Sequence, residues 1–431
     1  MRSTRRLLRS TVVVLVAAAL SLAGCGSGGS SNSKELTYWS LWQRKEPQAK
    51  VLKAAIKGFE KDTGIHVDVQ WQGRDNITKL LAALHGGNVP DLVDQQYFSL
   101  KGALVDNDQF TDLTSAYDMK VPGEDHTVRD VIPTKYDRFT TTADDKQFMV
   151  PYEVIGYTIW LNGKSLPKVV QDPPKTWQQF TDLLAKRKAA GRDPLALDGD
   201  IAGYAQYWLA TGLVRTLGPG GLHQLAADKD GSGWSDPKVR DAVAGIASLA
   251  QKDYFMPGYT SSKWPAIQNK WAQGKADFLF MGSWAPTETS TVASSGFDYR
   301  SFNFPAMGED ATVPSSVIGF AVPKPAEHAD AAKKFIAYFL NKDRLSPIAT
   351  KAANLTPRTD IAVPKQLADV KQLIEANGVS EIDDGIQGDF SDYNTKVFQP
   401  LSSKLLAGDI SVDQFIAKIK SGQKSYWENN G

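Results

Sequence analysis

Between residues 34 and 94 strand patterns and helix patterns take turns, and this alternation narrows the possible folds more than any other feature of the chain. Residues 34–42 (KELTYWSLW) carry the Thr, Tyr, Trp and Leu of a strand. Pro47 opens a helix whose apolar positions Leu52, Ala55, Ile56 and Phe59 keep helical spacing, and Gly64 ends it. Ile65, Val67, Val69 and Trp71 alternate with polar residues, as a half-buried strand does. Asp75 caps a second helix with Ile77, Leu80, Leu81 and Leu84 on one face, stopped at Gly86 and Gly87. Residues 90–94 add a short strand. Strand, helix, strand, helix, strand in this rhythm predicts a parallel sheet with helices on its faces. Ligands gather beyond the carboxyl ends of such strands, here residues 40–43 and 94–97.

A chain of 431 residues exceeds one ordinary core, so a second lobe is expected. The stretch that could join two lobes is residues 148–162 (FMVPYEVIGYTIWLN). It reads as two apolar strands around a bend at Pro151, Tyr152 and Glu153, with Gly156 relaxing the backbone after it. An interdomain hinge and a bent strand within one sheet both fit these residues. Further on, Thr176 and Gln179 form a capping box for a helix carrying Phe180, Leu183 and Leu184. Tyr204, Tyr207 and Trp208 cluster on a helical pattern, and Pro237 starts a helix with Val239, Val243, Ile246 and Leu249. Residues 264–272 give another helix closed at Gly274, and residues 276–281 a buried strand that ends in Gly282, Ser283 and Trp284. A strand at 317–322, a helix at 327–341, an extended run at 355–358 and helices from about Phe390 and over 412–419 complete the pattern.

The first 33 residues read differently. Arg2, Arg5, Arg6 and Arg9 precede an apolar run over residues 11–23, which is too short to span a bilayer comfortably and fits a signal segment. Leu22, Ala23, Gly24 and Cys25 resemble a bacterial lipobox, which implies cleavage before Cys25 and diacylation of its thiol; an ordinary secretory signal with a chance Cys is the alternative. Arg5 and Arg6 hint at twin-arginine export, though their flanks fit it poorly. Cys25 is the single Cys, which leaves no internal disulfide and no thiolate cluster. The Gly/Ser-rich residues after it read as a flexible tether, so residues 1–24 are expected to be signal and 25–34 tether. Taking the four Arg of residues 1–24 from 49 Lys and Arg, against 48 Asp and Glu, leaves a charge of −3. Nothing here is basic enough to argue for nucleic acid.

Six segments resemble, in order, the bacterial extracellular solute-binding proteins of ABC importers, the class that includes maltodextrin-binding and other sugar-binding lipoproteins. They are LTYWSLW, FEKDTGIHVDVQW, LLAALHGGNVPDLV, VPYEVIGYTIWLNGKSL followed by PPKTWQQFTDLL, WAQGKADFLFMGSWA, and VIGFAVPKPAEHADAAKKFIAYFL. The resemblance implies an α/β fold of two periplasmic-binding-protein-like lobes joined by hinge crossings, with C-terminal helices added to the second lobe. The crossings fall near 151–156, 318–322 and 355–358. Lobe 1 is then 35–150 with 321–345, and lobe 2 is 151–320 with 346–431. It further implies a monomer held at the outer face of the cell membrane through Cys25, which passes its solute to permease subunits and uses no cofactor.

A sugar cleft needs aromatic faces to stack on pyranose C–H groups, and carboxylates and amides to bind hydroxyls. Trp284 is the first candidate, because it stands past the end of a buried strand and after Gly282. Trp42, Gln43, Asp94 and Gln95 follow from their strand ends, and Tyr152 and Glu153 from the bend. Trp39, Tyr204, Trp208 and Phe390 are further candidates for which packing is the competing role, Trp39 by strand alternation and the others by helical spacing. Catalytic patterns are missing: His66, His85, His126, His223 and His328 are scattered, and no H-E-x-x-H, G-x-S-x-G or phosphate loop occurs. The run at Asp228, Lys229, Asp230 and Gly231 starts like a calcium loop but has Val239 at the twelfth place. A secreted glycan hydrolase with two carboxylates across a cleft remains the alternative from another class. Glycerol phosphate, a polyamine or a peptide are alternatives within the receptor class.

Overall fold

Residues 34–430 are described by a computed structural model. The signal segment, Cys25 and nearly all of the Gly/Ser tether lie outside the described residues. The strands are β1 (Glu35–Ser40), β2 (His66–Trp71), β3 (Leu92–Gln96), β4 (Val150–Asn162), β5 (Asp193–Ala196), β6 (Ala276–Gly282), β7 (Tyr299–Phe302), β8 (Val313–Ala321) and β9 (Val379–Glu381). Hydrogen bonding runs in the order β2-β1-β3-β8-β4-β6-β5, with β7 on β4 and β9 on β8.

The first half of this path is the sheet expected from the alternation. β1 pairs in parallel with both β2 and β3. The helix Pro47–Thr63 buries Leu52, Ala55, Ile56 and Phe59, and Gly64 closes it in the left-handed region at φ 70°. The helix Asn76–Gly86 stops at Gly87, also left-handed. The capping box at Thr176 and Gln179 forms at the start of the helix Trp177–Ala189, and Asp236 caps the helix Pro237–Gln251.

The expectation of two strands joined by a bend needs correction. β4 is one continuous strand of 13 residues. Pro151 has no N–H for the ladder, yet the strand absorbs it through a register shift: Pro151 faces Gly319 and Glu153 faces Ile318. Tyr152 is the extra residue between them. The strand does pass from one partner to another, but a few residues later. Residues up to Gly156 pair with β8, and from Tyr157 onward β4 pairs with β6. At the change-over a Cβ on Gly156 would lie 2.5 Å from Val370 Cγ1, so the missing side chain lets the helix Ala368–Asn377 press onto the strand. β8 spans both neighbours, pairing with β3 through Ile318–Ala321 and with β4. The 355–358 run touches the same place, where the Val154 N–H donates to the Leu355 carbonyl at 2.9 Å.

The helix expected from about Phe390 is broken into a short turn at Ser391–Tyr393, a wide turn at Asn394–Phe398 and the helix Gln399–Leu406. Pro400 cannot give an N–H to the preceding turn, which favours the wider winding. The last helix runs further than its apolar spacing suggested, over Val412–Asn430. Gln423 on it fastens it to the body: its Oε1 accepts from Trp234 Nε1 and from the Tyr393 hydroxyl, each at 2.8 Å. Trp160, Trp208, Trp234 and Trp271 are fully buried, so part of the large Trp content is core.

Candidate functional site

A cavity of about 280 Å³ lies where the two halves of the sheet path meet. From the β1–β3 half come Trp42 and Glu46 in the loop after β1, Arg74 in the turn after β2, and Gln95 at the end of β3. From the β6 half come Tyr204 near the start of the helix Ala202–Leu217, and Trp284, Thr287 and Glu288 just past β6. The floor is made by Glu153 and Ile155 of β4, Ile318 of β8, and Asn354 beside the 355–358 run. β4, β8 and the segment just before Leu355 therefore all reach the cavity, and an indole lines it from each half of the sheet path.

Trp284 is half-buried and meets the Tyr157 ring edge-on at 5.4 Å between centroids. Its ring lies back over Gly282: a Cβ there would come 2.2 Å from Trp284 Cζ3, so the glycine is what permits this pose. Glu288, one helical turn on, accepts from Gln268 Nε2 at 2.9 Å, and burial raises its carboxyl above the usual range. Trp42 is nearly buried, donates through Nε1 to the Tyr152 hydroxyl at 2.7 Å, and carries the Arg74 guanidinium 4.9 Å from its ring centroid. Arg74 in turn donates to Glu46 at 2.6 Å and to the Leu41 carbonyl at 2.8 Å.

Glu153 is the most perturbed acid of the cavity. It is 4% exposed, and its Oε2 has no hydrogen-bond partner among the described residues. Burial lifts its pKa to about 8; the charges of Asp94 and Glu46 push the same way, while Asn354 and Arg74 oppose. A neutral carboxyl here both donates and accepts, which suits a hydroxyl ligand. Because the folded pKa lies above the ordinary value of 4.5, the proton contributes stability that is complete below that value and lost as pH rises toward 8. Glu153→Gln removes the titration. The unfolding free energy of the wild type should therefore fall, relative to this variant, by a few kcal/mol between about pH 5 and about pH 9. Parallel stability curves for the two proteins in urea melts would contradict this. Asp94 is raised to about 6 by burial, with Tyr152 and the Leu41 N–H opposing.

Of the residues expected from sequence, Trp42, Gln95, Glu153, Tyr204 and Trp284 line this one cavity. Asp94 and Tyr152 are wholly buried behind Trp42 and support it rather than face the space. Gln43 is exposed on the loop, outside the lining, where its N–H donates to Glu46. Trp39 is half-buried on β1 between Gln70 and Val93. Trp208 is core, its ring 5.1 Å from Phe280 and 5.7 Å from Phe304. Phe390 packs away from the cavity against His223 at 4.9 Å and Trp427 at 5.5 Å. Arg74, Glu46, Asn354, Thr287 and Glu288 were not anticipated. The strand-end rule applied to β2 as well would have reached Arg74, and helical spacing from Trp284 would have reached Glu288. Among the described residues no group of three His, Cys, Asp or Glu is arranged to hold a metal ion, and no helix is long and apolar enough to cross a membrane.

Residues 44–343 match the model of the family described as bacterial extracellular solute-binding protein. The chain is 23% identical over 377 residues to the diacetylchitobiose binding protein NgcE of Streptomyces coelicolor, covering 84% of this chain and 77% of that protein. It is 23% identical over 364 residues to the multiple sugar-binding protein of Streptococcus mutans, covering 79% and 83%. Among solved structures, a chitin oligosaccharide binding protein superposes with a TM-score of 0.73 at 20% identity, over 91% of this chain and all of the other. RafE in complex with raffinose gives 0.71 at 17% identity, over 91% and 99%. These structures share the two-lobe α/β fold, and with the family match over most of its length this chain belongs to the bacterial extracellular solute-binding proteins.

Proposed function

We propose that the protein is the receptor of an ABC importer for an oligosaccharide, which it holds between its lobes and hands to the permease. The observation that carries this reading is that Trp42 and Trp284 line one cavity from the two halves of the sheet path, with the amides of Gln95 and Asn354 beside them. Indole faces suit the C–H faces of a pyranose, and Gln95, Asn354, Glu153 and Glu288 supply donors and acceptors for its hydroxyls. A ligand touching both halves favours the closed arrangement over the open one by its extra contacts there. The names of the relatives support a sugar, those concerned with chitin oligosaccharides among them. A polyamine would meet Arg74 at the cleft.

In this reading lobe 1 is 35–150 with 321–345, and lobe 2 is 151–320 with 346–431. The lobes turn about residues 151–156, 318–322 and 355–358. Residues 1–24 are removed as a lipoprotein signal, Cys25 carries the lipid, and the following Gly/Ser run lets a monomer reach the permease from the membrane surface. The experiment is isothermal calorimetry of purified protein against N,N′-diacetylchitobiose, raffinose, galactose, spermidine and glycerol 3-phosphate. Binding of a sugar, with compaction in small-angle scattering, is expected. Binding of only the amine or the phosphate ester would overturn the sugar reading. A second reading draws on the raised Glu153 carboxyl, which is the state a glycosidase acid needs. Release of nitrophenol from a nitrophenyl chitobioside, lost in Glu153→Gln, would favour it.

A further inference from the structure

The Trp42 indole is held by a chain of buried groups that passes through Tyr152 of β4 and ends on Asp94 of β3. Trp42 Nε1 donates to the Tyr152 hydroxyl at 2.7 Å, and Tyr152 donates to Asp94 Oδ2 at 2.5 Å. The other oxygen of the same carboxylate accepts the Leu41 N–H at 2.9 Å. One carboxylate thus anchors both the backbone of the loop that carries Trp42 and, through a phenol, its ring. Tyr152 and Asp94 are fully buried, so neither is available to a ligand in the cleft. Tyr152 also occupies the register shift of β4 against β8, and its neighbour Glu153 lines the cavity.

We propose that Tyr152 is a positioning residue: its hydroxyl, supported by Asp94 of β3, ties the Trp42 indole to β4, so that the orientation of this ring in the cleft is set by β3 and β4 together and not by its own loop alone. A buried indole N–H has no water to turn to when its partner moves, and an unpaired donor there is unfavourable. The phenol is itself held by Asp94 and by the Phe320 and Phe339 rings, at 4.7 and 5.6 Å between centroids, so the Trp42 ring is fixed in the cleft before a ligand arrives. The inference rests on the receptor reading for the role of Trp42 in binding, whereas the tether itself is independent of any ligand.

Two measurements separate these points. Purified protein is labelled with fluorotryptophan, and the Trp42 and Trp284 fluorine signals are assigned by their loss in Trp42→Phe and Trp284→Phe. Without sugar, Tyr152→Phe is expected to shift the Trp42 signal and leave that of Trp284 in place; an unmoved Trp42 signal overturns the tether. Calorimetry with N,N′-diacetylchitobiose then reads the consequence. Tyr152→Phe should weaken binding about tenfold in the wild type and less than about twofold in the Trp42→Phe background. Equal losses in both backgrounds would mean that Tyr152 acts without Trp42, and would overturn the proposal. Should Tyr152→Phe fail to fold, Asp94→Asn, which leaves one acceptor oxygen for the two donors Tyr152 hydroxyl and Leu41 N–H, is read in the same two ways. If the wild type does not bind this sugar, the sugar reading fails for that probe, and the fluorine signals still decide the tether.

Discussion

Trp284→Ala is expected to weaken binding of N,N′-diacetylchitobiose by at least about a hundredfold, the scale on which loss of a central aromatic anchor registers. The indole stands at the end of β6, and its position is over-determined. Gly282 leaves room beneath it, and the Tyr157 ring supports it edge-on. A stacking face prepared in this way needs little further ordering when the ligand arrives, so its removal deletes binding energy directly. Because the ring is only half-buried, the loss in unfolding free energy should be small beside the loss in affinity. Trp284→Phe keeps an aromatic face and should retain binding within about tenfold of the wild type. Calorimetry on the three proteins decides the matter: if the alanine variant binds as the wild type does, Trp284 is a rim residue and the cleft grips by other means.

The parts of this molecule that could be read in the sequence are those whose signals are local. Strands β1 to β3 and the helices between them follow from periods of two and 3.6, which need only a few neighbours. β4 was misread because Pro151 and Gly156 are breaks by every local rule. What overrides them is the long β8 alongside, which tolerates the register shift at Pro151 and is distant in sequence. The same division runs through the site. Trp42, Gln95 and Trp284 could be placed because strand ends in an α/β sheet are where ligands gather. Tyr204 and Trp208 share one helix and one spacing argument, yet only Tyr204 reaches the cavity, which lies at the start of that helix, while Trp208 sits a turn deeper among Phe280 and Phe304. Asn354 carries no local signal. Its place depends on the bridge between Val154 and Leu355, a contact no spacing rule can reach.

The crossing itself offers the other large effect. Gly319 in β8 pairs with Gln95 of β3 on one side and faces Pro151 of β4 on the other. A Cβ added there would lie 2.5 Å from the Val150 carbonyl oxygen and 2.8 Å from Pro151 Cα, with Met149 Cε also at 2.5 Å. The methionine tip can swing away, but the two backbone atoms move only if β4 slides on β8. Gly319→Ala should therefore lower the unfolding free energy by about 3 kcal/mol, the upper part of the usual range for overpacking. Gly156→Ala makes a useful contrast on the same strand, because its closest contacts, Val370 Cγ1 at 2.5 Å and Ile374 Cδ1 at 3.2 Å, belong to the packed helix Ala368–Asn377 and not to a paired strand. Val370 is β-branched and buried, so that helix must shift slightly, and the loss should be smaller, about 1–2 kcal/mol. Urea unfolding of the two variants measures both values. The displacement that relieves Gly319→Ala passes through Tyr152 and Glu153, one behind Trp42 and the other on the cavity floor. The folded fraction of that variant should accordingly bind N,N′-diacetylchitobiose more weakly than Gly156→Ala does. Equal stability and equal affinity in the two variants would mean that β8 and β4 have slack at this point, and that their register does not hold the cavity floor in place.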